Sequence, residues 1–120
     1  AANGLYAASL AVVKIRIGEE TLISAAEGNG PVNALDTALR KDLGVYQKHI
    51  QDVELIDFRV RVFQGGTDAV TRVLVEFGAP DGARWSTVGV SGNIIEASFQ
   101  ALTDAITYRL VKTGAEAVAN

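Results

Sequence analysis

The chain has 120 residues, 48% hydrophobic and 21% charged, with a formal charge of −3, one histidine and no cysteine. The length suits one domain with a real core, and the acidic balance argues against nucleic-acid or anionic-membrane partners, which favour clustered Lys and Arg. No apolar run reaches the roughly 18–20 residues that span a bilayer, and a chain without cysteine has no disulfide or thiol chemistry, which favours a cytoplasmic setting.

The opening "AANGLYAASLAVVKIRI" lacks the basic leader of a signal peptide, and the chain does not begin with Met, so a piece of something longer is expected. "LAVVKIRI" alternates as a strand, with Val13, Ile15 and Ile17 on one side and Lys14 and Arg16 on the other. "GEE" turns the chain and "TLISAAEG" returns as a second strand. Pro31 then suits the first position of a helix, because its φ is already helical and its missing N–H has no partner there. Leu35, Ala38, Leu39 and Leu43 make the apolar stripe of that helix, with Asp36, Arg40 and Lys41 outside it. Gly44 is expected to close the helix as a left-handed cap. "VYQKHIQ" reads as a short connection.

A second pass follows. "VELIDFRVRVF" alternates Ile56, Phe58, Val60 and Val62 against Asp57, Arg59 and Arg61. "QGGTDA" is a turn, "VTRVLVEF" a strand, "GAPDGA" a hairpin loop and "RWSTVGV" the returning strand. Asn93 is a good N-cap, and Glu96 three residues on completes a capping-box pattern. The second helix carries two apolar stripes, one through Ile95, Phe99, Leu102, Ile106 and Leu110, the other through Ile94, Ala97, Ala101, Ala105 and Tyr108. Two stripes predict burial on more than one side. The tail "VKTGAEAVAN" is expected to fray.

Sliding the chain by 63 positions lays Ala34 on Ala97, Ala38 on Ala101 and Leu39 on Leu102. It also lays Leu22 on Trp85, Val32 on Ile95 and Leu43 on Ile106. If "LYAASLAVV" holds a first strand, the chain reads as a β-β-β-α unit used twice, over residues 8–44 and 53–111. Such a pair makes an α+β fold: antiparallel sheet with both helices on one face, related by a pseudo-two-fold.

Catalysis finds no support. His49 lies among polar residues in a connection, no nucleophile–base pair exists, and the carboxylates have no metal-ligand spacing. "GGTDA" at 65–69 precedes no helix and reads as a turn rather than a phosphate loop. The helix starts are different. Opening amides have no intrahelical partner and carry the positive end of the helix dipole. Gly28 and Gly30 leave such amides unshielded, so an anion could approach them. Equally, the glycines could serve only to allow positive φ at a strand-to-helix corner. Asp57 is open in the same way, either part of a solvated face with Arg59 and Arg61 or the partner of an ammonium group.

From "TRVLVEFGAPDGARWSTVGVSGNIIEASFQALTDAITYRL", together with "GNGPVNAL" and "VELIDFRVRVFQGGTDA", the chain resembles a family. It is similar to the C-terminal regulatory (LeuA-type allosteric) domain of the 2-isopropylmalate synthase and citramalate synthase group, nearer the citramalate branch at "WSTVGVSGNIIEAS". The resemblance implies a homodimer that binds a feedback inhibitor, leucine or isoleucine, with the catalytic domain of the same chain elsewhere. That catalytic domain, a TIM barrel in the family, is expected to use a divalent metal and acetyl-CoA, and no cofactor is expected in this domain. Carried onto this sequence, the effector contacts fall on Gly28, Asn29, Gly30 and Pro31, with Val32 and Ala34 just after. They continue on Leu55, Asp57 and Phe58, and at Asn93, Ile94 and Ile95. Phe58 stands where the family often has Tyr, so a hydroxyl contact is lost. The implied roles are carboxylate binding by amides at Gly28–Gly30 and around Asn93, ammonium binding by Asp57, and an apolar pocket from Val32, Leu55, Phe58, Ile94 and Ile95. The other reading is a dimerisation module of the same synthase that binds no effector.

Overall fold

The computed structural model describes residues 9–17, 19–28, 30–41, 43–65 and 68–114. The chain divides into two compact units, 1–42 and 43–120.

In the first unit, β1 (Ser9–Ile17) and β2 (Glu20–Gly28) form an antiparallel ladder from the pair Ser9/Gly28 to the pair Ile17/Glu20. Helix α1 (Pro31–Lys41) packs across both strands. Val13 and Ala26 are buried, and so are Val32, Ala34, Leu35, Ala38 and Leu39 of the helix. Leu10, Val12 and Ile23 stay exposed on the sheet. The side chains of Ile15, Ile17 and Leu22 lie outside the described residues.

Two expectations change here. Asp36, placed outside the helical stripe by sequence, is buried. It is tolerated because the Arg40 guanidinium one turn on pairs with it at 3.0 Å. Burial still holds its carboxyl above the ordinary value near 3.8, while the charge and hydrogen bond of Arg40 pull the other way. Gly44 does have a left-handed backbone, φ +56°, but α1 has already ended at Lys41. Gly44 instead opens a 3-10 helix, Gly44–His49, which replaces the predicted plain connection.

In the second unit, β3 (Glu54–Gly65), β4 (Asp68–Gly78) and β5 (Arg84–Ser91) form an antiparallel sheet with β4 in the middle. Helix α2 (Ile94–Lys112) packs on β4 and β5. Thr71, Val73, Val75 and Phe77 of β4 are buried beneath it, with Ala97, Ala101, Leu102, Ala105 and Ile106 of the helix. Its alanine stripe brings helix and sheet into backbone contact. A Cβ at Gly89 would collide with the Ala97 carbonyl oxygen and stand 2.9 Å from the Ala101 nitrogen. The Trp85 indole N–H donates to the Ala105 carbonyl at 2.9 Å and seals the other end.

The fold is therefore α+β, with sheets of two and three strands. The predicted duplicated β-β-β-α unit is not found whole: the described residues give β-β-α in the first unit and β-β-β-α in the second. Residues 9–13 of "LYAASLAVV" belong to β1 itself, and 5–8 lie outside the described residues. The 63-residue slide does recover equivalent packing positions. Ala34, Ala97, Ala38, Ala101, Leu39 and Leu102 are all buried. It fails at Val32 and Ile95, of which the first is buried and the second 47% exposed.

Candidate functional site

The predicted site residues fall in both units. In the first, Gly28 ends β2, and Gly30 and Pro31 open α1. The Ala34 N–H donates to the Gly30 carbonyl at 3.0 Å, the first bond of the helix. Asn29 lies outside the described residues. Neither Gly28 nor Gly30 has positive φ, so the corner does not need glycine for its backbone angles. Gly28 is small for another reason. A Cβ there would stand 2.6 Å from the Ala34 nitrogen and 2.5 Å from Asn33 Oδ1. At Gly30 a Cβ would meet nothing within 4 Å, so the approach to the helix start is open on that side. Gly30 has no side chain to cap the opening amides. Val32 and Ala34 are buried and form the floor of the first turn.

In the second unit the helix start is built differently. Asn93 Oδ1 accepts from the Ile95 N–H at 2.7 Å and the Glu96 N–H at 3.2 Å. The predicted capping box is relayed rather than direct. Glu96 Oε1 accepts from the Ser91 hydroxyl at 2.7 Å, and that hydroxyl accepts from the Asn93 N–H at 3.3 Å. Two amides of this helix start are thus held by the chain itself. Ile94 is half-buried, while Asn93 and Ile95 are exposed.

Strand β3 departs from strict alternation. The ladder pairs Leu55 with Phe77, then Asp57 with Glu76 and Phe58 with Val75. The bulge absorbs Ile56, whose side chain covers Gly78, where a Cβ would collide with it. Leu55 and Phe58 therefore share the face that α2 packs against, although simple alternation would separate them. Asp57 points to the opposite face, 3.5 Å from Arg59, with its side chain 47% exposed. Phe58 is 41% exposed, because α2 covers β4 and β5 and leaves edge strand β3 uncovered.

The register also separates members of the set. Asn93 follows Ser91, which lies across the sheet in line with Thr71 and Val62. Asp57 is five residues down β3 from Val62, about 17 Å at ~3.3 Å per residue. Within this unit the structure brings Leu55 and Phe58 together. It does not bring Asp57 to Asn93. A cleft of about 410 Å³ in this unit, lined by Asp81, Trp85, Tyr108 and Arg109 among others, contains none of the predicted residues.

Sequence reasoning missed Ser98. Its hydroxyl is fully buried on α2 with no hydrogen-bond partner among the described residues. The signal was present, since Ser98 follows Ala97 directly in the apolar pattern of the helix. No group of three His, Cys, Asp or Glu side chains that could hold a metal ion occurs among the described residues. No helix there is long and apolar enough to cross a membrane.

Comparison with known proteins gives the family. Residues 3–110 match the LeuA allosteric (dimerisation) domain. The chain is 51% identical over 112 residues to an (R)-citramalate synthase of Synechocystis sp., covering 92% of this chain and 20% of that protein. It is 48% identical over 107 residues to an (R)-citramalate synthase of Geobacter sulfurreducens, covering 88% and 20%. A 2-isopropylmalate synthase of Pseudoalteromonas atlantica is 35% identical over 104 residues, covering 85% and 18%. The chain thus spans about a fifth of the length of these relatives, and shares more identity with the citramalate synthases. It belongs to the LeuA allosteric (dimerisation) domain family, the regulatory domain of the citramalate and 2-isopropylmalate synthases.

Proposed function

We propose that this domain is a feedback sensor, binding isoleucine or leucine to inhibit an acetyl-CoA-dependent citramalate or 2-isopropylmalate synthase in the cytoplasm. The catalytic domain of the same chain, with its divalent metal, would do the chemistry. The observation that carries this reading is the start of α1. There a glycine without a side-chain cap opens the helix, and the space beside it is free. A carboxylate at such a start meets unshielded amides and the positive end of the helix dipole. The family supports the reading, because its description is of an allosteric domain.

In the second unit Asp57 would hold an ammonium group and Leu55, Phe58, Ile94 and Ile95 an aliphatic side chain, while Val32, 1% exposed, lies beneath the start of α1 in the first. Since Asp57 and Asn93 stand far apart within the second unit, a ligand touching both would draw them from two copies. The family's description as a dimerisation domain favours a homodimer. Inhibition further requires that the effector bind the inactive state better than the active one.

Titration calorimetry and thermal shift with leucine, isoleucine and valine test this. A ligand at 100 times its dissociation constant adds about 2.7 kcal/mol to the folded state. No heat and no shift with any of the three at millimolar concentration, with the dimer intact, would leave the purely structural dimerisation module. Asn93 is the observation on that side, because its side chain already satisfies the amides that an effector would use.

A further inference from the structure

On the sheet face of the second unit that looks away from α2, three arginines converge. Arg61 stands directly opposite Arg72 in the β3–β4 ladder, and Arg59 stands opposite Leu74 one step along. Together these four residues line a cleft of about 170 Å³, with Leu74 as its floor. Like charges directly opposite across two strands destabilise a sheet. The acids on this face do not relieve the pair. Asp57 lies 3.5 Å from Arg59 and Glu76 lies 3.6 Å from Arg84. Neither the Arg61 nor the Arg72 side chain has an ion pair or hydrogen bond among the described residues. Arg59 is itself loosely held, its side chain 79% exposed, and an exposed pair of that kind contributes little.

Guanidinium groups present a planar fork of donors that matches the oxygens of a carboxylate or phosphate. Directly opposite residues have Cβ atoms about 5 Å apart, and next neighbours on a strand about 7 Å, so the three forks can reach one tetrahedral anion. Val88 is opposite Leu74, and Val90 is opposite Arg72, so an apolar shoulder borders the cluster. Both valines are exposed.

We propose that Arg59, Arg61 and Arg72, around the floor of Leu74, form a binding site for a doubly charged oxyanion of the phosphate class. The site is separate from the helix starts, although Arg59 shares the Asp57 carboxylate with the proposed ammonium contact. A phosphate there relieves the repulsion between Arg61 and Arg72, and Val88 and Val90 offer contact to an organic group carried by it.

The test is calorimetric titration of the chain with inorganic phosphate at constant ionic strength, with chloride as the reference salt. Saturable binding is expected, weakened about tenfold or more in the double variant Arg61→Gln/Arg72→Gln, whose fold is checked by circular dichroism. Arg61→Lys, which keeps the charge and loses the fork, should fall between the two. Adenosine monophosphate binding more tightly than inorganic phosphate supports a phosphorylated organic ligand resting on the valines. Equal affinity supports the free ion. Identical phosphate binding in the wild type and the double variant overturns the site. So does a Glu-rich peptide that binds the cluster where phosphate does not.

Discussion

The two helix starts of this chain solve one problem in opposite ways. Helix α2 begins with Asn93, whose side chain accepts from two opening amides, backed by Ser91 and Glu96. Helix α1 begins with Gly30, which has nothing to offer its amides, and Gly28 lets the strand end lie against the first turn. The first start is complete in itself. The second offers its opening amides no side chain from Gly30, and it is there that the proposed carboxylate would bind. A pseudo-repeat in sequence thus hides a division of labour, one corner built for stability and the other left open.

Substitutions can break that contrast, beginning with the tightest packing. Gly89→Ala should be the most damaging, destabilising by about 3 kcal/mol, because the new methyl would meet the backbone of α2 rather than a yielding side chain. Chemical denaturation reads this directly. Gly28→Ala should lose about 2 kcal/mol, since Asn33 can swing away but the Ala34 amide cannot. If Gly28→Ala were neutral, the close approach of β2 to α1 would not be what keeps that residue small. Asn93→Ala should lose about 1 kcal/mol through the missing cap. If α2's start also serves an effector, that variant should lose ligand affinity beyond its change in stability. Gly30→Ala should stay within about 0.5 kcal/mol, having open space and an ordinary backbone. A fall in isoleucine or leucine affinity at that position without a fall in stability would mark it as part of the site.

Asp36 sharpens the comparison through pH. Its folded-state carboxyl titrates above the ordinary value near 3.8, so the folded chain holds that proton more tightly than the unfolded one. Its ionisation therefore weighs against folding at neutral pH, and the penalty fades as pH falls towards 3.8. Most carboxylates act in the reverse sense. Comparing Tm against pH for the wild type and Asp36→Asn should show the wild type gaining ground on the variant as the solution is acidified.

The order of strands and helices was legible because period-2 and period-3.6 patterns were clean, as in Val73, Val75 and Phe77, or Ala97, Ala101 and Ala105. Asn93 was legible as a cap from its type and its spacing to Glu96. What escaped were features that depend on the partner strand or on burial. The bulge at Ile56 lays its side chain over Gly78, on the neighbouring strand and 22 positions away. It reverses which face Leu55 occupies relative to Phe58. Asp36 looked solvent-facing because type alone says that carboxylates are; its burial depends on Arg40 lying one turn further along. The proposed site residues rest on residue type and on resemblance, and which of them can meet is decided by strand register, which sequence does not display.

That register has a thermodynamic consequence. With Asp57 and Asn93 at opposite ends of one sheet, a single amino acid held by both would bridge two molecules of the protein. Binding and association would then be one linked equilibrium. Apparent affinity would rise with protein concentration, and dilution alone would release the ligand with every contacting residue unchanged.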